Sequence, residues 1–134
     1  MTDYKSLIIK AQEARKKSYS PYSHFCVGAA VLTKSGKVYT GCNIENASYT
    51  PTNCAERTAI FKAVSEGERE FEAIAIVGGR ENEKGGFCAP CGVCRQVIAE
   101  FCDKDFKIVL GNEDKFEVYT LDTLLPFSFT KNNL

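Results

Sequence analysis

Residues 71–79 read FEAIAIVGG, an apolar run broken by one charge at position 72 and closed by two glycines. A short run of this kind predicts a buried strand. Upstream, TNCAERTAIFKAVSEG (52–67) predicts a helix, with Thr52 as its N-cap and Gly67 as its stop. Before that, FCVGAAVL (25–32) and KVYTGCNIE (37–45) flank Lys34-Ser35-Gly36 as a β-hairpin. At 3–17, Tyr4, Leu7, Ile8, Ala11 and Ala14 recur at helical spacing, and SYSPYS (18–23) breaks that helix. Downstream, the polar loop RENEKGG leads to PCGVCRQVIAEFC (90–102), a third helix with Pro90 at its first position. FKIVLG (106–111) and KFEVYTL (115–121) are strands, and LDTLLP forms a short helical turn. The order α-β-β-α-β-α-β-β predicts a three-layer α/β/α sandwich around a mixed five-stranded sheet, one domain over 1–134.

Charge and cysteine content narrow the function classes. Seventeen basic residues balance seventeen acidic ones, so the chain lacks the basic surplus of proteins that track a nucleic-acid backbone. The first residues have no signal-peptide apolar run, and no stretch is long enough to span a bilayer. Seven cysteines, an odd number without a secretion signal, predict reduced thiols and a cytoplasmic protein.

Three of those cysteines, Cys88, Cys91 and Cys94, fall at even spacing in FCAPCGVCRQ (87–96). Cys26, Cys42 and Cys102 read as small core hydrophobes. Cys91 and Cys94, three apart at a helix start, share a face and suit one metal. Further ligands come from Cys88 nearby or from Cys54, at the start of the other central helix. A thiolate there gains from the free N–H groups of a helix N-terminus. Spacing alone leaves an iron–sulfur cluster, a four-thiolate structural zinc and a catalytic zinc open. The ferredoxin pattern C-x₂-C-x₂-C-x₃-C-P is not completed, because Cys102 is the next cysteine after Cys94 and no proline follows it. Glu56 favours catalysis, since a metal that activates water needs a carboxylate close to it but not ligating it.

Cys54-Ala55-Glu56 followed by Pro90-Cys91-Gly92-Val93-Cys94 resembles the zinc-dependent nucleobase deaminase signature. FCVGAAV, GCNIENASY, CAERTAI, PCGVCRQ and LLPFSF together resemble the small free-nucleoside cytidine deaminases, across most of the chain. The resemblance implies one zinc per subunit held by Cys54, Cys91 and Cys94, with Cys88 a bystander. It implies Glu56 as the proton shuttle while zinc-bound hydroxide attacks C4 of cytidine or deoxycytidine, as in pyrimidine salvage. A zinc dication with three thiolates is one charge more negative than with two thiolates and a neutral imidazole. Arg57 is implied to hydrogen-bond the ligand sulfurs and offset that charge. The implied nucleoside contacts are Phe25 against the base, and Asn43 and Glu45, on one face of a strand, at the ribose 3′-hydroxyl. Ala47 and Tyr49 are implied to reach a neighbouring subunit's substrate, and Phe129 to close the pocket from another, in a homotetramer with shared sites. His24 has no implied role in the chemistry.

Overall fold

β3 (Phe71–Arg80) lies in the middle of a five-stranded sheet of order β2-β1-β3-β4-β5, seen in a computed structural model that describes residues 2–134. Around it run α1 (Tyr4–Arg15), β1 (Phe25–Thr33), β2 (Val38–Cys42), α2 (Ala55–Ser65), α3 (Gly92–Phe101), β4 (Lys107–Gly111), β5 (Phe116–Thr120) and α4 (Leu121–Leu124). β3 pairs parallel with β4 and antiparallel with β1. The β1–β2 and β4–β5 pairs are antiparallel, so the sheet is mixed. The parallel pair follows from the long crossover through α3.

Alternation along β3 builds both layers. Ala73, Ala75 and Val77 face α1, where they meet Leu7, Ile8 and Ala11. Ile74 and Ile76 face the other side, with Ala59, Ile60 and Ala63 of α2 and Ile98 of α3. All of these except Leu7 and Ile60 have no exposed surface, and those two have almost none. The result is the predicted three-layer sandwich. Two glycines set the approach of the helices. A Cβ on Gly28 would lie 2.0 Å from the Ala11 carbonyl oxygen of α1. One on Gly41 would lie 2.7 Å from the Ala55 carbonyl oxygen of α2.

Several boundaries differ from the sequence reading. α2 starts later than Thr52, because Ile44 and Asn53 exchange both main-chain hydrogen bonds at 2.9 Å and hold residue 53 extended. Cys54 is therefore the N-cap, and the Thr52 hydroxyl instead accepts from the Asn46 N–H at 3.1 Å. Pro90 lies before the first turn of α3, whose N-cap is Cys91 in an extended conformation. β2 ends at Cys42, which places Asn43 and Glu45 in the segment beyond it, not on the strand. There Ile44 makes single bridges to Tyr19 and Asn53. The C-terminal residues add a 3-10 turn (Lys131–Asn133) closed by a Thr130–Asn133 capping box. Among the described residues no helix is long and apolar enough to cross a membrane.

Candidate metal centre and active site

Two helices begin at one place. Cys54 is the N-cap of α2 and Cys91 the N-cap of α3, and neither thiol caps a backbone N–H. N-cap and N3 side chains lean toward each other, the geometry that underlies capping boxes. Here that relation joins Cys54 to Arg57 on α2 and Cys91 to Cys94 on α3. The sequence spacings C-x-x-R and C-x-x-C are thus the same local device used twice. The positive ends of both helix dipoles converge on the sulfurs, which favours thiolates.

The sulfurs of Cys54, Cys91 and Cys94 all lie within 4.8 Å of one another. Cys54 Sγ and Cys91 Sγ are 3.8 Å apart. Two sulfurs on a tetrahedral zinc, each about 2.3 Å from it, should be separated by about 3.8 Å. The donor set therefore fits zinc, with three protein ligands and one position left for a non-protein ligand. Among the described residues no other His, Cys, Asp or Glu joins this group. Cys88 stays outside it and packs on Gly78, where an added Cβ would meet its sulfur at 2.7 Å. Cys94 is fully buried and Cys91 exposed, so the centre opens to the surface on the Cys91 side.

Charge is managed around these sulfurs. Arg57 Nη2 donates to Cys54 Sγ at 3.2 Å. Burial opposes the Arg57 charge, but the Cys54 and Cys94 sulfurs outweigh it and raise its pKa. Cys54 is lowered to about 5, chiefly by the hydrogen bond from Cys94 and, against the cost of burial, by Arg57. Cys94 moves in the opposite direction, because it donates to Cys54 and is buried. The Arg57 Nε is buried and unpartnered.

Glu56, the second residue of α2, is 4% exposed. Burial first, and the nearby Cys54 charge second, raise its carboxyl to about 7. Its charge in turn acts on the thiols of Cys94 and Cys88, so it lies close to the centre. A buried carboxylate of this kind can hold or release a proton beside the sulfurs without ligating a metal.

The other expected residues divide into two sets. Phe25, Asn43 and Glu45 cluster around the segment 18–25. Asn43 Nδ2 donates to the Phe25 carbonyl at 2.8 Å, and its Oδ1 accepts from the Val27 N–H at 2.9 Å and from the Ser18 hydroxyl. Glu45 accepts from the Tyr22 and Ser23 N–H groups at 2.9 and 3.2 Å and from the Ser23 hydroxyl. The Ser23 bond is the largest cause of its lowered pKa. The Phe25 ring is 38% exposed and its edge lies near Gly78, beside Cys88. Tyr49 shares a hollow of about 390 Å³ with Glu45, Tyr22, Ser23 and Thr52. Ala47 is exposed on the same turn. Tyr49, with φ +63°, is 72% exposed, and Phe129 is 61% exposed. The Phe129 carbonyl is held by Gln96 Nε2 at 2.7 Å. His24 forms an ion-pair contact with Glu81 at 3.1 Å and takes no part in the sulfur group.

Sequence reasoning missed the supports of this site. Ser18 and Ser23 order Asn43 and Glu45. Arg95 ties the start of α3 to the C-terminal segment, donating to the carbonyls of Pro90 and Leu124 at 2.7 and 2.6 Å. A charged residue one position after a ligand cysteine was the available signal for Arg95.

A family model described as the cytidine and deoxycytidylate deaminase zinc-binding region matches residues 1–110. A cytidine deaminase of Sporosarcina psychrophila is 50% identical over 98% of this chain and 95% of its own length. One of Halalkalibacterium halodurans is 50% identical over 98% of each chain. A solved structure of cytidine deaminase from Burkholderia pseudomallei superposes with a TM-score of 0.86 at 49% identity, covering 96% of this chain and 100% of the other. Matches of that extent, over a fold and a three-sulfur centre of this geometry, show that the chain belongs to the zinc-binding cytidine and deoxycytidylate deaminase family.

Proposed function

We propose that this chain is a zinc-dependent hydrolase that converts cytidine and deoxycytidine to uridine and deoxyuridine with release of ammonia. In this reading residues 1–134 form one deaminase domain, four copies assemble into a homotetramer, and the enzyme serves pyrimidine salvage in the cytoplasm. The observation that carries it is the buried Glu56 beside three sulfurs that lie within 4.8 Å of one another.

Cys54, Cys91 and Cys94 hold the zinc, which when bound acidifies a water molecule at its free position. Arg57 and the two helix N-termini offset the charge of the third thiolate, which would otherwise make the water less acidic. Glu56 takes a proton from the attacking water and delivers it to N3 of the pyrimidine, as the water oxygen bonds to C4. The remaining hydroxyl proton passes by the same carboxylate to the amine. The C4–N bond then breaks, C4 becomes a carbonyl and ammonia leaves. Burial keeps bulk water from competing for that proton. Phe25 packs on the base, since an aromatic face suits a pyrimidine ring. Asn43 and Glu45 take the ribose 3′-hydroxyl. The Asn43 oxygen already accepts two hydrogen bonds, so the spare amide N–H is what it offers, and Glu45 accepts.

General acid–base catalysis is typically worth about 10²–10⁴-fold. Glu56→Gln should therefore keep one zinc per chain, measured by metal analysis, and lose at least about a hundredfold in turnover of cytidine. Normal deamination by that variant, followed by the ultraviolet change from cytidine to uridine, would remove Glu56 from the mechanism. Parallel assays with deoxycytidine and cytidine monophosphate define the substrate class.

A further inference from the structure

α1 ends in Arg15, a cation only 8% exposed that has no carboxylate within ion-pair distance among the described residues. Buried charges are usually paired with an opposite charge. This one instead binds four main-chain carbonyls. Nε donates to Cys26 at 2.8 Å, Nη2 to Arg80 at 2.7 Å, and Nη1 to Glu83 and Lys84 at 2.9 and 3.2 Å. Two neighbours hold the same loop. Gln12 Nε2 donates to the Lys84 carbonyl at 2.7 Å, and Asn112 Nδ2 to that of Gly85 at 2.9 Å. Gly85, at φ +80°, lets the loop press on the guanidinium, for a Cβ there would lie 3.0 Å from Arg15 Cζ.

The loop held in this way, 80–86, connects β3 to the segment that delivers Cys91. Past it, Gly78 and Gly86 exchange both main-chain hydrogen bonds, at 3.1 and 2.9 Å, and Cys88 settles on Gly78. At the other end of the clamp, Cys26 is the chain neighbour of Phe25. One side chain thus ties the strand that carries Phe25 to the loop that sets Cys91.

We propose that Arg15 is a positioning residue, which fixes the register of 80–91 against β1 and so places the Cys91 sulfur relative to Cys54. The proposal rests on the zinc reading of the three sulfurs. Arginine is required because its planar fork carries five donors, whereas lysine offers three from a single point. Removing it strands carbonyls that need partners.

The test uses the full zinc-loaded chain and three variants, Arg15→Lys, Arg15→Met and Gln12→Met, with Ile8→Ala as a control. Ile8 is fully buried in the same α1 layer but touches none of this loop's hydrogen bonds. Gln12→Met removes one of the loop's hydrogen bonds together with a buried amide oxygen that has no partner. Three readouts are taken: the rate of zinc transfer to a chromogenic chelator, the sulfur-to-metal bands of the cobalt-substituted protein, and amide exchange over 80–91. Losing a group that orients a metal ligand typically costs about 10–100-fold in metal affinity. Arg15→Met should release zinc roughly tenfold faster or more, with Arg15→Lys intermediate and Gln12→Met smaller. The cobalt bands should shift and the 80–91 amides should exchange faster in the same order. Ile8→Ala should lower the melting temperature and leave zinc release and the cobalt bands unchanged. The proposal is overturned if Arg15→Lys and Gln12→Met match wild type in all three readouts, a comparison that stands even if Arg15→Met does not fold. It is also overturned if Ile8→Ala releases zinc as fast as the Arg15 variants. Wild-type chain that binds no zinc would sink the metal reading instead, and amide exchange of the metal-free chain would still judge Arg15.

Discussion

Cysteine is a poor residue with which to cap a helix, since Ser, Thr, Asp and Asn supply better acceptors for the free N–H groups. Both helices at the centre nevertheless begin with one, and neither sulfur caps. The uncapped N–H groups are left to face the thiolates, so the cost of a missing cap is offset by charge stabilisation at the metal ligands. Cys88 has no such setting. It packs on Gly78 and stands outside the group of three sulfurs. Cys88→Ser should therefore retain one zinc per chain, whereas Cys91→Ser should lose it, as read by metal analysis after gel filtration. Zinc lost from both variants, or kept by both, would contradict the assignment. The pairs Cys54–Arg57 and Cys91–Cys94 were legible in the sequence because N-cap and N3 positions are local: a spacing of three residues brings both members of a pair to one helix start. Ser18 and Ser23 were not legible as supports of Asn43 and Glu45. Their contacts join residues 25 and 22 positions apart, and no local pattern marks them.

At the scale of elements, all eight predicted helices and strands are present, since each is set by hydrophobic period or by a turn. The starts of α2 and α3 were read too early. Thr52 and Pro90 both carry strong local signals for a helix start, yet a tertiary bridge overrides the first and an extended N-cap follows the second. The Ile44–Asn53 bridge keeps residue 53 extended, and extended Cys91 gives its carbonyl to the first bond of α3, from Arg95 N–H at 2.9 Å. The strand order was also beyond a linear pattern, because hydrophobic period says which face is buried but not which neighbour pairs. Close packing of α1 on β1 gives a sharp test of that arrangement. A Cβ on Gly28 would lie 2.0 Å from one main-chain atom of α1 and 2.5 Å from another. Backbone cannot rotate away as a side chain can. Gly28→Ala should cost at least the roughly 1–3 kcal/mol typical of overpacking, measured by denaturant unfolding. A variant as stable as wild type would mean that α1 lies farther from β1 than described here.

At the scale of the whole molecule, the centre is asymmetric: the chemistry is buried, while several of the residues assigned to the nucleoside stand in the open. Tyr49 and Phe129 are 72% and 61% exposed, and Phe127, two residues before Phe129, is fully so. An aromatic ring left in water on one chain is free to cover a site on another. In the proposed homotetramer these rings close the sites of neighbouring subunits, and that reading makes an assay possible that a self-sufficient chain would fail. Glu56→Gln lacks the proton shuttle but still offers Phe129 to others. Phe129→Ala lacks the closing ring but retains Glu56. Each variant alone should be poorly active. Unfolded together and refolded as mixed assemblies, they should regain activity, because a site built on the Phe129→Ala chain then receives its ring from a Glu56→Gln neighbour. If Phe129 closes the site of its own chain, every mixed assembly still pairs each Glu56 with a missing ring, and the mixture stays as inactive as its parts.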